Sequence, residues 1–204
     1  MTVAEETTPR SGAWLALFVL WSLIAAAAAV VLPAPRAPGP LRLLLIVGPV
    51  VLFTLALRSS TGLRRILAAL NPRWLIATHG IRVVVGAAFL IFGRQGLVPW
   101  GFALHAGVGD MFAGAGAMLL MIAYPRLSHP GGRALLLVWN IVGMVDFMNV
   151  QRVIAFTFAG RGDEFVAMQR LPMALVPYWG VPLLWSIHVY LIWCHFASRR
   201  RQRP

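Results

Sequence analysis

The chain has 204 residues, of which 59% are apolar and only 12% charged. A soluble globular domain carries about 25% charged residues, so at a mean hydropathy of +0.77 most of this chain does not face water. The formal net charge is +12, carried by 18 arginines and no lysine. Nucleic-acid binding is a poor explanation for it, because the arginines separate apolar stretches and close the C-terminus, where membrane proteins use them to set orientation.

Six apolar stretches follow in chain order. The first runs over 13–32. Glu5 and Glu6 precede it, and it is about twice as long as the apolar part of a secretory leader, so it reads as a retained first helix. Prolines at 33, 35, 38 and 40 end it. The second covers 41–57. Residues 58–73, with Arg58, Arg64, Arg65 and Arg73, form a basic interfacial connection with room for a short amphipathic helix. The third covers 74–92, the fourth 100–124 after Pro99, the fifth 134–158, and the sixth 173–196, interrupted by Pro177 and Pro182. Each is close to the roughly 20 residues needed to cross a bilayer. None alternates with period two, which excludes a β-barrel, and helices satisfy their own backbone groups in lipid. The prediction is an all-α integral membrane six-helix bundle, one domain over 1–204 with short loops. Its one cysteine, Cys194, forms no internal disulfide and reads as apolar packing.

With the N-terminus inside, eleven arginines fall on the inner side: Arg10, Arg58, Arg64, Arg65, Arg73, Arg126, Arg133, Arg199, Arg200, Arg201 and Arg203. Five fall outside: Arg36, Arg42, Arg94, Arg161 and Arg170. The asymmetry predicts both termini in the cytoplasm. Trp100, Tyr124, Trp179 and Trp193 lie near span ends, as interfacial anchors do.

The chemistry rests on polar residues inside the spans. An ionisable group at mid-membrane costs about 2.5–3.5 kcal/mol, and such groups face the bundle and find partners. Arg82, Asp110 and Asp146 are placed there. Around Asp110 the helix carries Ala103, Ala106, Gly107, Ala113, Gly114 and Ala117, all small, so Asp110 points into a close helix contact. In the fifth stretch Asn140, Gly143, Asp146, Asn149 and Arg152 recur every third residue and read as one polar seam, with Arg152 free to snorkel outward. Arg82 is within reach of Asp110 and Asp146. The expectation is that it contacts at least one of them, one carboxylate being paired and the other titrating or binding a ligand.

His79 lies one turn before Arg82, and His188 in the sixth stretch lies at a similar depth, about 8 and 12 Å from the inner end at 1.5 Å per residue. Two such histidines could hold a b-type haem through both axial positions; this is the third-ranked reading, and no cofactor is predicted. His105, in the outer half, has no histidine partner there, so a second haem site fails. No metal-ligand spacing, phosphate-binding glycine loop or nucleophile–base pair is present, and no catalytic residue is assigned. Arg161-Gly162-Asp163 is read as a chance string, and Met118, Met121, Met144 and Met148 as core packing. Gly107-x-x-Asp110 is echoed by Gly143-x-x-Asp146, a weak hint of an inverted repeat.

Three stretches, FALHAGVGDMFAGAGA at 102–117, WNIVGMVDFMNV at 139–150 and LPMALVPYWGVPLLWSIHVYLI at 171–192, resemble a group of uncharacterised small bacterial polytopic membrane proteins. In that group a Phe-Ala-Leu-Pro-Ala-Gly-x-Gly-Asp stretch precedes Trp-Asn-x-x-Gly-x-x-Asp; here His105 stands at the proline position. The resemblance implies no activity; it implies a bacterial inner membrane and draws attention to Asp110, Asn140 and Asp146. The leading expectation is a transporter-like or proton-handling protein with its site built from Arg82, Asp110, Asn140, Asp146 and Asn149, and with His105 and Arg152 as outer-half polar groups. Its partners would be the lipid bilayer and a small solute or proton, with homo-oligomerisation left open. The main rival is a structural or assembly subunit in which the same residues only join helices.

Overall fold

Proline and glycine set the breaks between elements, and apolar runs fill the elements themselves. The structure, a computed structural model, describes residues 11–127 and 129–201, with backbone only at 11, 126 and 198–201. Helix α1 spans Ser11–Val31, α2 Gly39–Ser59, α3 Thr61–Ala68, α4 Pro72–Ala77, α5 Ile81–Arg94, α6 Trp100–Ala123, α7 Pro130–Phe156 and α8 Val181–Arg201. A single tight turn, Thr78–Gly80, joins α4 to α5, so Pro72–Arg94 crosses as one unit. Among the described residues there is no β-strand, and six segments are long and apolar enough to span a membrane. The chain is a polytopic all-α membrane bundle, with span limits close to those expected. Of the orientation arginines, Arg10 and Arg203 lie outside the described residues, as do the side chains of Arg126, Arg199, Arg200 and Arg201.

Local chemistry explains the ends. Ser60 Oγ accepts from Leu63 N–H at 3.1 Å and starts α3, the amphipathic connection expected over 58–73. Asn71 Oδ1 accepts from Arg73 N–H at 3.0 Å, with Pro72 in the first helical position. His129, to which the sequence assigned no role, caps α7: its Nδ1 accepts from Gly132 N–H at 3.0 Å ahead of Pro130. At Pro177, which has no N–H to give, the chain widens into a π-helical segment, Val176–Gly180, and Val181 N–H reaches back five residues to Val176 O.

Helices α5, α6, α7, α8 and α2 pack in that order, and α1 lies against α3 and Val176–Gly180. An even number of crossings puts the start of α1 and the end of α8 at one end of the bundle, here the terminal end. The connections 32–38, 95–99 and 157–175 lie at the other, the loop end. The loop-end core is aromatic, with Phe89, Phe102, Phe158 and Phe165 in mutual edge contacts. The terminal-end core contains Ile76, Ala117, Leu120, Trp139 and Leu191. Large apolar side chains face outward, Phe112 being 71% exposed; only lipid solvates such a surface without cost. Met118 and Met148 belong to that outer face, at 49% and 57% exposed, and do not pack the core as expected.

Candidate functional site

Asp110 is ten residues in from the start of α6 at Trp100, and Asp146 ten residues back from the end of α7 at Phe156. At 1.5 Å per residue each lies about 15 Å from the loop end, half of the roughly 30 Å hydrocarbon core. Arg82 is ten residues in from Pro72 at the opposite end and so reaches the same level.

The α5–α6 contact brings Arg82 to Asp110. A Cβ added at Gly107 would lie 2.9 Å from Gly86 O, and one at Gly114 2.7 Å from Val83 N. The two backbones touch, and only glycine allows it. Asp146 arrives from α7 across Gly109, where any side chain would occupy the position of its carboxylate. Gly109 is thus a site residue that the sequence reading missed. Its signal was a glycine directly before the intramembrane aspartate.

Arg82 Nε donates to Asp110 Oδ1 at 2.7 Å, and Arg82 Nη2 donates to Asp146 Oδ2. The side chains are 2% exposed for Arg82, 12% for Asp110 and 13% for Asp146. The guanidinium carbon sits 4.1 Å over the Phe147 ring, a cation–π contact. Arg82 Nη1 is buried without a hydrogen-bond partner. Both aspartates are therefore paired, which meets the expectation of at least one contact and extends it to the carboxylate expected to titrate or bind a ligand, because a guanidinium presents several donors and one fork can serve two carboxylates. One positive charge faces two negative ones. With both carboxylates ionised, the triad carries a surplus of one negative charge at mid-membrane.

A second polar group lies next to it toward the terminal end. His188 Nδ1 donates to Asn140 Oδ1 at 2.9 Å, and Asn140 Nδ2 donates to Leu136 O at 2.7 Å. The His79 ring centroid is 4.1 Å from that of His188, and the Trp139 ring meets His79 edge-on at 5.0 Å. Both histidines are fully buried, and neither His79 nitrogen has a hydrogen-bond partner. His188 Nε2 faces the bare backbone of Gly143. The two imidazoles touch each other, and this arrangement lends the haem reading no support. Among the described residues, no group of three or more His, Cys, Asp or Glu side chains is placed to hold a metal ion.

The expected seam along α7 is not one feature. Asn140 serves His188 and Asp146 serves Arg82, while Asn149 Oδ1 accepts from the exposed Arg152 at 3.0 Å, outside both groups. His105 is exposed too, bonded at 2.7 Å to Gly101 O of its own helix.

Asp110 also forms the floor of a cavity with about 40 Å³ of free space, extending toward the loop end. Its walls are apolar apart from Arg42, Asp110 and Gln151. Arg42 was counted among the outer-side arginines, but it is only 8% exposed. Helix α2 begins at Gly39, which puts position 42 within its first turn and turned into the bundle. Beyond Arg42 an open depression lies between 35–43 and 155–163. Arg36 and Asp163 pair across it at 2.8 Å. Beside it, Arg161 donates twice to Glu164, at 2.6 and 2.7 Å, and these bonds hold the Glu164 carboxyl below the usual carboxylate range.

A family model described as a domain of unknown function, DUF8737, matches residues 40–195. The chain belongs to the DUF8737 family. No curated protein and no solved structure matches the chain. The DUF8737 region holds the triad, the histidine pair and Arg42, and it omits α1.

Proposed function

We propose that this DUF8737 protein is a transporter-like, proton-handling protein of the bacterial inner membrane with both termini in the cytoplasm, and that Asp110 is the group that takes up and releases the proton. One observation carries the reading: a buried triad sets two carboxylates against one guanidinium, and one of them, Asp110, lies on the floor of a cavity. An uncompensated charge in such a place costs several kcal/mol. A bound proton removes it. Asp146 does not line the cavity, so Asp110 is the exchanging group, and Arg82 and Asp146 keep their charges beside it. The arginine asymmetry and the resemblance of the 102–117, 139–150 and 171–192 stretches to small bacterial polytopic proteins support the membrane and orientation assigned.

The test is infrared difference spectroscopy on the protein in nanodiscs across a pH series. A protonated-carboxyl band that appears as pH falls and disappears in Asp110→Asn is expected. The same band profile in wild type and variant would refute the role of Asp110. One observation favours a purely structural subunit, namely that both aspartates already share Arg82. Under that reading the variants lose stability and no carboxyl band changes with pH.

A further inference from the structure

We infer that the cavity between Arg42 and Asp110 binds a short-chain organic monoanion, a small carboxylate, with its anionic group on Arg42. This rests on the proposed function and names the class of solute that the same site takes. Arg42 lines both the inner cavity and the open depression at the loop end, so it stands at the neck between them. Its Nε is buried without a hydrogen-bond partner, and among the described residues no ion pair includes it. A desolvated guanidinium is best satisfied by a planar carboxylate, which it meets with two parallel bonds. Gln151 lines the same cavity; its buried Oε1 has no partner and, as an acceptor, does not bond a carboxylate, so Gln151 serves the anion only through its Nε2 N–H. Past these groups the wall is apolar, with Ile46, Phe89, Phe102, Phe147 and Ile154, and suits an alkyl portion. An organic cation is repelled at the neck by Arg42, and an inorganic anion leaves the apolar wall unfilled.

Size narrows the class. The cavity's free volume is about 40 Å³. At roughly 10–15 Å³ for each water-sized group, this holds about three or four non-hydrogen atoms, which suits the three carbons of propionate with its carboxylate oxygens at the neck on Arg42. The polar groups facing Arg42 and the cavity are the Tyr178 hydroxyl, Gln151 and Asp110. A proton on Asp110 leaves the floor neutral when the anion is bound, so solute and proton would occupy the site together.

The experiment is a thermal-unfolding titration of the full chain in detergent, read by tryptophan fluorescence, with sodium propionate, propylammonium chloride, propanol, sodium octanoate and sodium chloride at matched ionic strength. Saturable stabilisation by propionate alone is expected. Losing a charged hydrogen-bond partner weakens binding by about 10–100-fold, and Arg42→Gln should show that loss. Val150→Phe, which fills the cavity and leaves Arg42 in place, should abolish the response and covers the case in which Arg42→Gln does not fold. The infrared titration of the wild-type protein without propionate reads the proton role on its own, so failure of the proton role and failure of anion binding are read separately. Equal stabilisation by propanol or propylammonium, stronger stabilisation by octanoate, or a propionate response unchanged in Arg42→Gln or Val150→Phe would overturn the inference.

Discussion

Replacing Arg82 with leucine removes the one cation of the triad and leaves two carboxylates, 12% and 13% exposed, facing each other. A free aspartate ionises near pH 3.9, so holding one neutral at pH 7 costs about 4 kcal/mol, at about 1.36 kcal/mol per pH unit. In the proposed reading wild type already binds one proton, so the variant must bind one more. The cost then falls within the roughly 3–5 kcal/mol that follows from breaking a buried ion pair on one side. The lost stacking on Phe147 adds about 1 kcal/mol. Arg82→Leu should therefore lose about 4–6 kcal/mol. The triple variant Arg82→Leu/Asp110→Asn/Asp146→Asn should regain most of it, because no buried charge is then left alone. Arg82→Lys should fall between, since an ammonium on a flexible stem does not replace a planar fork. Unfolding in mixed detergent micelles, followed by tryptophan fluorescence, measures all three. An Arg82→Leu protein within about 1 kcal/mol of wild type, or a triple variant no more stable than the single one, would refute the reasoning.

The remaining predictions concern other parts of the molecule. A cysteine at the exposed position 163, on a Cys194→Ser background, should react with a membrane-impermeant reagent in intact cells; reaction only after the membrane is opened would reverse the orientation. Gly114→Ala should cost about 1–3 kcal/mol in the same unfolding assay, because its new methyl meets the α5 backbone. Gly12→Ala, which meets nothing within 4 Å, is the control and should be silent. Glu164 should titrate below a free glutamate in an NMR pH series and return to the ordinary range in Arg161→Ala. Whatever this pair contributes is present above the ordinary carboxylate range and lost as pH falls through the lowered value. Both side chains are about half exposed, so global stability should barely register it.

The spans were legible because lipid imposes one length and one composition on every crossing. The triad was legible because the rise per residue fixes depth: Asp110 and Asp146 count out to the same level, and Arg82 is the charge on the neighbouring span that reaches it. The seam misled for a geometric reason. Residues three apart fall about 60° short of a full turn, so Asp146 is turned about 120° from Asn140 and Asn149 about 180°. Asn140 therefore faces α8, Asp146 faces α5 and α6, and Asn149 turns away from both groups. Arg42 was passed over because, as the second residue of the 41–57 stretch, it was counted as an outer-side charge at a span end; that it turns into the bundle is visible only once α2 is seen to begin at Gly39. Gly109 and Gly143 carry no chemistry of their own, and what each makes room for is visible only once Asp146 and His188 are seen above them.

The glycine contacts between α5 and α6 divide the triad mechanically. Where Gly86 meets Gly107 and Gly114 meets Val83, the helices touch backbone to backbone, and there is no layer of side chains along which one could slide past the other. Arg82 and Asp110 therefore ride on one stiff post and keep their distance through any change of shape in the bundle. Asp146 rides on α7, whose neighbouring surfaces are built from rotatable side chains such as Trp139, Phe147 and His188. Of the two ion pairs, Arg82–Asp146 is the detachable one. A load on the loop end would register there as a clasp opening, with Arg82 and Asp110 as its fixed half.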